Sequence, residues 1–102
     1  MVKINWTDSA LEELANIGDH ISRDSIKYAE LTVSELFDYP DILEKYPKLG
    51  KKVEEYNEPN LRQLIKGSYR IIYKIISDEK IDIITVHNCA RLLNDELLKG
   101  RR

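Results

Sequence analysis

The apolar residues of this chain change period partway along, and that change limits the folds open to it. Up to about residue 44 they recur at helical spacing. From about residue 53 to 87 they alternate or run in blocks of strand length. A 3.6-residue stripe buries one side of a helix, and a two-residue alternation buries one face of a sheet. The chain therefore reads as a helical layer followed by a sheet.

Val2, Ile4 and Trp6 alternate with Lys3 and Asn5 as a short strand. Thr7, Asp8 and Ser9 offer capping oxygens, and Ser9 with Glu12 fits a capping box. Leu11, Leu14, Ile17 and Ile21 then predict an amphipathic helix over about 9–23. Gly18 lies beside that stripe and costs about 1 kcal/mol relative to alanine, which a close helix crossing would explain. A cap at Asp24 or Ser25 starts a second helix carrying Ile26, Ala29, Val33, Leu36 and Phe37. It should stop before Pro40, with one further turn over 40–44. So short a connection folds the helices into a hairpin, marginal until it covers a sheet.

Tyr46 to Lys52 is a breaker-rich loop, Val53 to Tyr56 a short extended piece, and Asn57 to Asn60 a turn. Leu61–Lys66 and Tyr69–Ile76 are strands joined by Gly67-Ser68, a two-residue loop that begins with glycine. After Ser77–Lys80 comes a last strand, Ile81–His87. Leu92, Leu93, Leu97 and Leu98 suit a short terminal helix or docked tail. The expected class is α+β: strand, helix, helix, then a three-stranded antiparallel meander, with the helical hairpin on one face of the sheet.

With 102 residues the chain is read as a single domain, 1–102, with one core. No apolar run approaches the ~20 residues of a membrane span, and the start has no apolar signal segment. The lone Cys89 makes neither an internal disulfide nor a cysteine zinc site, so a reducing cytoplasm is expected. No metal, cofactor or nucleotide motif stands out. Sixteen basic and 18 acidic residues give a net charge of −2, mildly against a strong nucleic-acid binder. Residues 1–58 carry −6 and residues 59–102 carry +4, which predicts a locally positive surface.

Four segments in order carry a resemblance: Pro47-x-x-Gly50-x-x-Val53-x-Glu55, Asn60-Leu61-Arg62-Gln63-Leu64, Tyr69-Arg70-Ile71-Ile72-Tyr73 and Val86-His87-x-x-x-Arg91-Leu92-Leu93. Together they resemble the RelE/ParE toxin superfamily of type II toxin–antitoxin systems, also called plasmid stabilization proteins. Leu-Arg-Gln-Leu and His-x-x-x-Arg-Leu-Leu favour the ParE branch. The resemblance implies a growth-arresting toxin neutralised by a cognate antitoxin. It implies one of two targets: DNA gyrase for ParE-like members, or the ribosome and its mRNA for RelE-like members.

A metal-independent endoribonuclease needs a base for the 2′-hydroxyl, cations for the phosphate and an acid for the leaving oxygen. The resemblance places Arg70 and Arg91 as phosphate-stabilising residues, and His87 titrates in the right range for an acid or base. Against this, Leu61–Lys66 holds no clear base, and the chain is slightly acidic where a ribosome-dependent nuclease gains from positive charge. Gyrase inhibition is therefore the preferred reading, mRNA cleavage the alternative, and an inactive antitoxin-binding homologue the third.

Arg62, Lys66, Arg70, Lys74 and Arg91 are the candidates for target or antitoxin binding. Pairing across Gly67-Ser68 is expected to bring Arg62, Lys66, Arg70 and Lys74 together. The patch around Arg62, Arg70 and Arg91 would suit an acidic antitoxin tail, and the groove along the helical hairpin an amphipathic helix. The plainer alternatives are that Arg62 and Arg70 bridge Glu54 or Glu55, that Lys66 and Lys74 are solvated, and that His87 is structural.

Overall fold

A computed structural model describes residues 1–89. Two helices pack on one face of a five-stranded mixed sheet. The strands are β1 (Lys3–Trp6), β2 (Lys51–Lys52), β3 (Leu61–Lys66), β4 (Tyr69–Ser77) and β5 (Lys80–Asn88), in the spatial order β1-β5-β4-β3-β2. The helices are α1 (Asp8–Ser22) and α2 (Ile26–Asp38), and a 3-10 turn follows over Tyr39–Glu44. The expected meander is the centre, β3-β4-β5. The first strand adds to it in parallel beside β5, with Ile4 against Ile81 and Trp6 against Ile83. The terminal helix expected beyond residue 88 lies outside the described residues from residue 90 on. No described helix is long and apolar enough to cross a membrane.

The core forms where the two periodicities meet. Ala10, Leu14 and Leu36 from the helices close over Leu64, Ile71, Tyr73, Ile81, Ile83 and Val86 from the sheet. Each fully buried leucine or isoleucine contributes roughly 1.5–3 kcal/mol. The close crossing expected at Gly18 is present: a Cβ there would meet Val33 Cγ2 at 2.9 Å.

Helix α1 starts one residue before Ser9, so the capping box does not form. Thr7 is the cap; its Oγ1 accepts from Ala10 N at 3.3 Å and donates to the Ile83 carbonyl at 2.7 Å. One hydroxyl thus starts the helix and ties it to β5; the Ser9 hydroxyl also reaches β5, but less closely, at 3.5 Å from the Ile84 carbonyl. Ser25 caps α2, accepting from Tyr28 N at 3.1 Å.

The extended piece expected at Val53–Tyr56 lies two residues earlier. Lys51 and Lys52 pair with Gln63 and Arg62, while Val53 turns into the core at 1% exposure. Burying one valine wins over extending the strand, and the edge is left with two lysines, a composition that resists pairing with other chains.

Candidate functional site: two faces of the β3-β4 hairpin

The four hairpin cations do not cluster. The loop is two residues long, so Lys66 stands opposite Tyr69, Leu64 opposite Ile71 and Arg62 opposite Tyr73. Paired residues share a face. Arg62 and Lys66 therefore share the helix-covered face with Leu64, Ile71 and Tyr73. Arg70 and Lys74, at the intervening positions, lie on the opposite face, open in the sense that no described helix covers it. Even numbers on β3 pair with odd numbers on β4, and this parity overturns the expected grouping.

On the open face, Ile65, Arg70 and His87 stand in one row across β3, β4 and β5. Arg70 is the centre of a small polar cluster. Its Nη2 lies 3.1 Å and 3.0 Å from the two carboxylate oxygens of Glu55, and its Nε donates to Gln63 Oε1. A hydrogen bond with its own backbone and then the Arg70 contact hold the Glu55 carboxyl below its ordinary range. His87 goes the other way: burial, then the neighbouring Arg70 charge, lower its pKa, with Glu13 and Glu55 opposing. Its Nε2 is buried and has no hydrogen-bond partner among the described residues. The imidazole is thereby held neutral at neutral pH. Lys74 pairs with Glu58 at 2.9 Å.

On the helix face the cations serve the fold. Arg62 Nη1 donates to the carbonyls of Gly50 at 2.9 Å and Lys48 at 3.2 Å. Lys66 lies 3.9 Å from Glu35 and 5.2 Å from the centre of the Tyr39 ring. Fully buried Tyr73 completes the attachment of the loop; its hydroxyl donates to the Pro47 carbonyl at 2.8 Å and accepts from Gly50 N at 3.0 Å. The Pro47-x-x-Gly50 segment is thus a strap held on the sheet by Arg62 and Tyr73. Arg91 lies outside the described residues.

Glu13 was not among the sequence candidates. It reaches from α1 past the end of β1, accepting from Thr85 Oγ1 at 2.9 Å and Val86 N at 3.3 Å. Its signal in the sequence is a carboxylate between Ala10, Leu14 and Ile17, on the buried side of its helix, where a charge needs a partner. Among the described residues, no three histidine, cysteine or acidic side chains gather closely enough to hold a metal ion.

The family model described as the ParE toxin of type II toxin–antitoxin system, parDE, matches residues 4–93. Among solved structures, a chain of the chromosomal ParDE system from Pseudomonas aeruginosa superposes with a TM-score of 0.71. The two are 19% identical, over 86% of this chain and 96% of that one. A chain of the RelBE2 toxin–antitoxin complex from Mycobacterium tuberculosis gives a TM-score of 0.61 at 18% identity, over 85% of this chain and 96% of that one. At these identities the likeness is one of fold. No curated protein matches by sequence. The family match spans nearly the whole described structure, from β1 through β5, and on that ground the chain belongs to the ParE toxin family of type II toxin–antitoxin systems.

Proposed function

We propose that this protein is a cytoplasmic toxin that arrests growth by inhibiting DNA gyrase and is neutralised by a cognate antitoxin. Family membership supports the toxin and its antitoxin partner. The choice of gyrase is carried by the closure of Arg70. A nuclease arginine must face an incoming phosphate, yet this guanidinium is engaged by Glu55 and Gln63. Glu55, ionised and paired, is a poor acceptor for a 2′-hydroxyl proton, because the ion pair favours its charged form. A binding-type inhibitor needs a stable polar surface rather than a base, and the open face of β3-β4-β5 supplies one. Arg70 and Lys74 are its cations.

One observation favours the second reading, ribosome-dependent mRNA cleavage. Arg70 and the neutral His87 are direct neighbours across β4 and β5, the pairing of cation and base that phosphoryl transfer uses. A defined mRNA in a DNA-free translation extract separates the two. Gyrase inhibition predicts intact RNA ends and normal protein yield from a preparation that arrests growing cells. Codon-positioned cuts that require translating ribosomes would establish the nuclease. Arg70→Ala is expected to weaken inhibition of purified gyrase by about tenfold, the effect of one central interface arginine. Glu55 is 59% exposed but the Arg70 side chain only 17%, so the variant is compared with wild type at equal folded fraction, checked by its unfolding midpoint.

A further inference from the structure

Counting charges along the chain places the positive surface after residue 58, but among the described residues it lies earlier. Every lysine and arginine described between residues 59 and 89 has an internal partner. Arg62 donates to the Lys48 and Gly50 carbonyls. Lys66 meets Glu35, Arg70 meets Glu55, Lys74 meets Glu58 and Lys80 meets Asp82. Residues 45–52 are different. Lys45, Lys48, Lys51 and Lys52 are exposed and form no ion pair among the described residues. No acidic residue lies among them, so the segment carries +4, with Glu44 and Glu54 at its borders.

These lysines stand on a fixed backbone. Lys45 to Gly50 belong to the strap, which the Tyr73 hydroxyl holds at Pro47 and Gly50 and which Arg62 holds at Lys48 and Gly50. Lys51 and Lys52 continue it as the β2 edge, beside Gln63 and Arg62. Arg62 is a second sign of missing negative charge. Its guanidinium lies against the strap with no carboxylate in ion-pair range among the described residues. Its Nε is buried with no hydrogen-bond partner there. A cation in such a place is ordinarily paired. Four lysines and one arginine thus gather at one edge of the sheet without a carboxylate to neutralise them.

We infer that the strap and the β2 edge bind the phosphate backbone of double-stranded DNA. Lysine acts as a point charge suited to phosphate, and it is depleted in protein–protein interfaces. A phosphate backbone therefore fits these four side chains better than an acidic protein segment does. Tyr46 and Leu49 are the exposed large apolar side chains of residues 45–52, too little apolar area to seat on a membrane. The Tyr46 hydroxyl is a further donor of the kind that contacts phosphate oxygens. The helical layer helps by its sign. Residues 8–44, which comprise α1, α2 and the 3-10 turn, contain ten acidic and two basic residues, a net charge of −8. A polyanion repels that layer and attracts the strap, so a chain of net charge −2 still approaches DNA in one orientation. In naming DNA rather than RNA the inference rests on the gyrase reading, because an inhibitor seated on gyrase lies beside the DNA that the enzyme holds.

The test measures binding of the purified full chain to a short fluorescent DNA duplex of mixed sequence across a salt series. Each phosphate contact adds about −0.9 to the slope of log K against log salt. Lys45→Gln with Lys48→Gln should therefore reduce the magnitude of that slope by about 1.8 and weaken binding at about 50 mM salt by at least about tenfold. Lys51→Gln with Lys52→Gln should give the same reduction. Lys27→Gln, on α2, should leave the slope unchanged. All five side chains are exposed, so these variants are expected to keep the wild-type unfolding midpoint. No binding, or a slope that both lysine pairs leave unchanged, would overturn the inference. Tighter binding of an RNA duplex, a glutamate-rich peptide or anionic phosphatidylserine vesicles would also overturn it. Supercoiling by purified gyrase is scored separately. DNA binding with full supercoiling removes the gyrase reading and leaves the DNA contact; inhibition without DNA binding removes the DNA contact and leaves the gyrase reading.

Discussion

Arg70, His87 and Tyr73 show how one strand divides its side chains between surface chemistry and the core. The Arg70–Glu55 bridge is among the plainer alternatives that the sequence offers, because Glu55 lies in the segment that precedes β3. The neutral state of His87 is not legible there, since it depends on burial and on the charges of two other elements. Its sign has a consequence for stability. The unfolded imidazole takes a proton near 6.5, while the folded one resists. Stability contributed by the neutral form is present above that value and is lost as the pH falls below it. Between about pH 7 and about pH 5.5 the unfolding midpoint should therefore drop, and His87→Gln should flatten that drop. An unchanged slope in the variant would show that His87 is not responsible. Tyr73→Phe removes the hydroxyl that accepts from Gly50 N and leaves that N–H without its partner. The expected cost in urea unfolding is about 1–3 kcal/mol.

Among the elements, the central strands and both helices are readable from period and caps, and their boundaries fall within a residue or two. The further turn expected over 40–44 is the 3-10 turn, where Pro40 sits in the first turn and Leu43 is buried. Three features differ from the sequence expectation, each for a different reason. The Thr7 cap is reinforced by a 2.7 Å bond to the Ile83 carbonyl of β5, and no local pattern shows that bond. The edge strand falls on two lysines because Val53 is drawn into the core. The face of each hairpin cation, by contrast, follows from the parity that a two-residue loop imposes. The strap at Pro47–Gly50 is the element most sensitive to a single atom. A Cβ on Gly50 would lie 2.5 Å from the Gln63 carbonyl oxygen and 2.8 Å from the Tyr73 ring. Gly50→Ala should destabilise by about 1–3 kcal/mol, the usual result of overpacking a site that backbone walls cannot vacate. A wild-type urea midpoint for Gly50→Ala would mean that the strap does not sit on the sheet in this way.

At the scale of the molecule, the charge imbalance between the two parts of the sequence becomes an imbalance between layers. The acidic part builds the helices and the more basic part the sheet. The α+β class and the helices on one face follow from the order of the elements. The partner of β1 does not, because a four-residue strand carries no mark of its neighbour; its parallel place beside β5 is set by burying Ile4 and Trp6 over Ile81 and Ile83. The most direct test of this account is supercoiling by purified DNA gyrase with increasing amounts of the purified chain. The account predicts dose-dependent inhibition that weakens in Arg70→Ala. Full supercoiling activity in the presence of chain that arrests growing cells would contradict it.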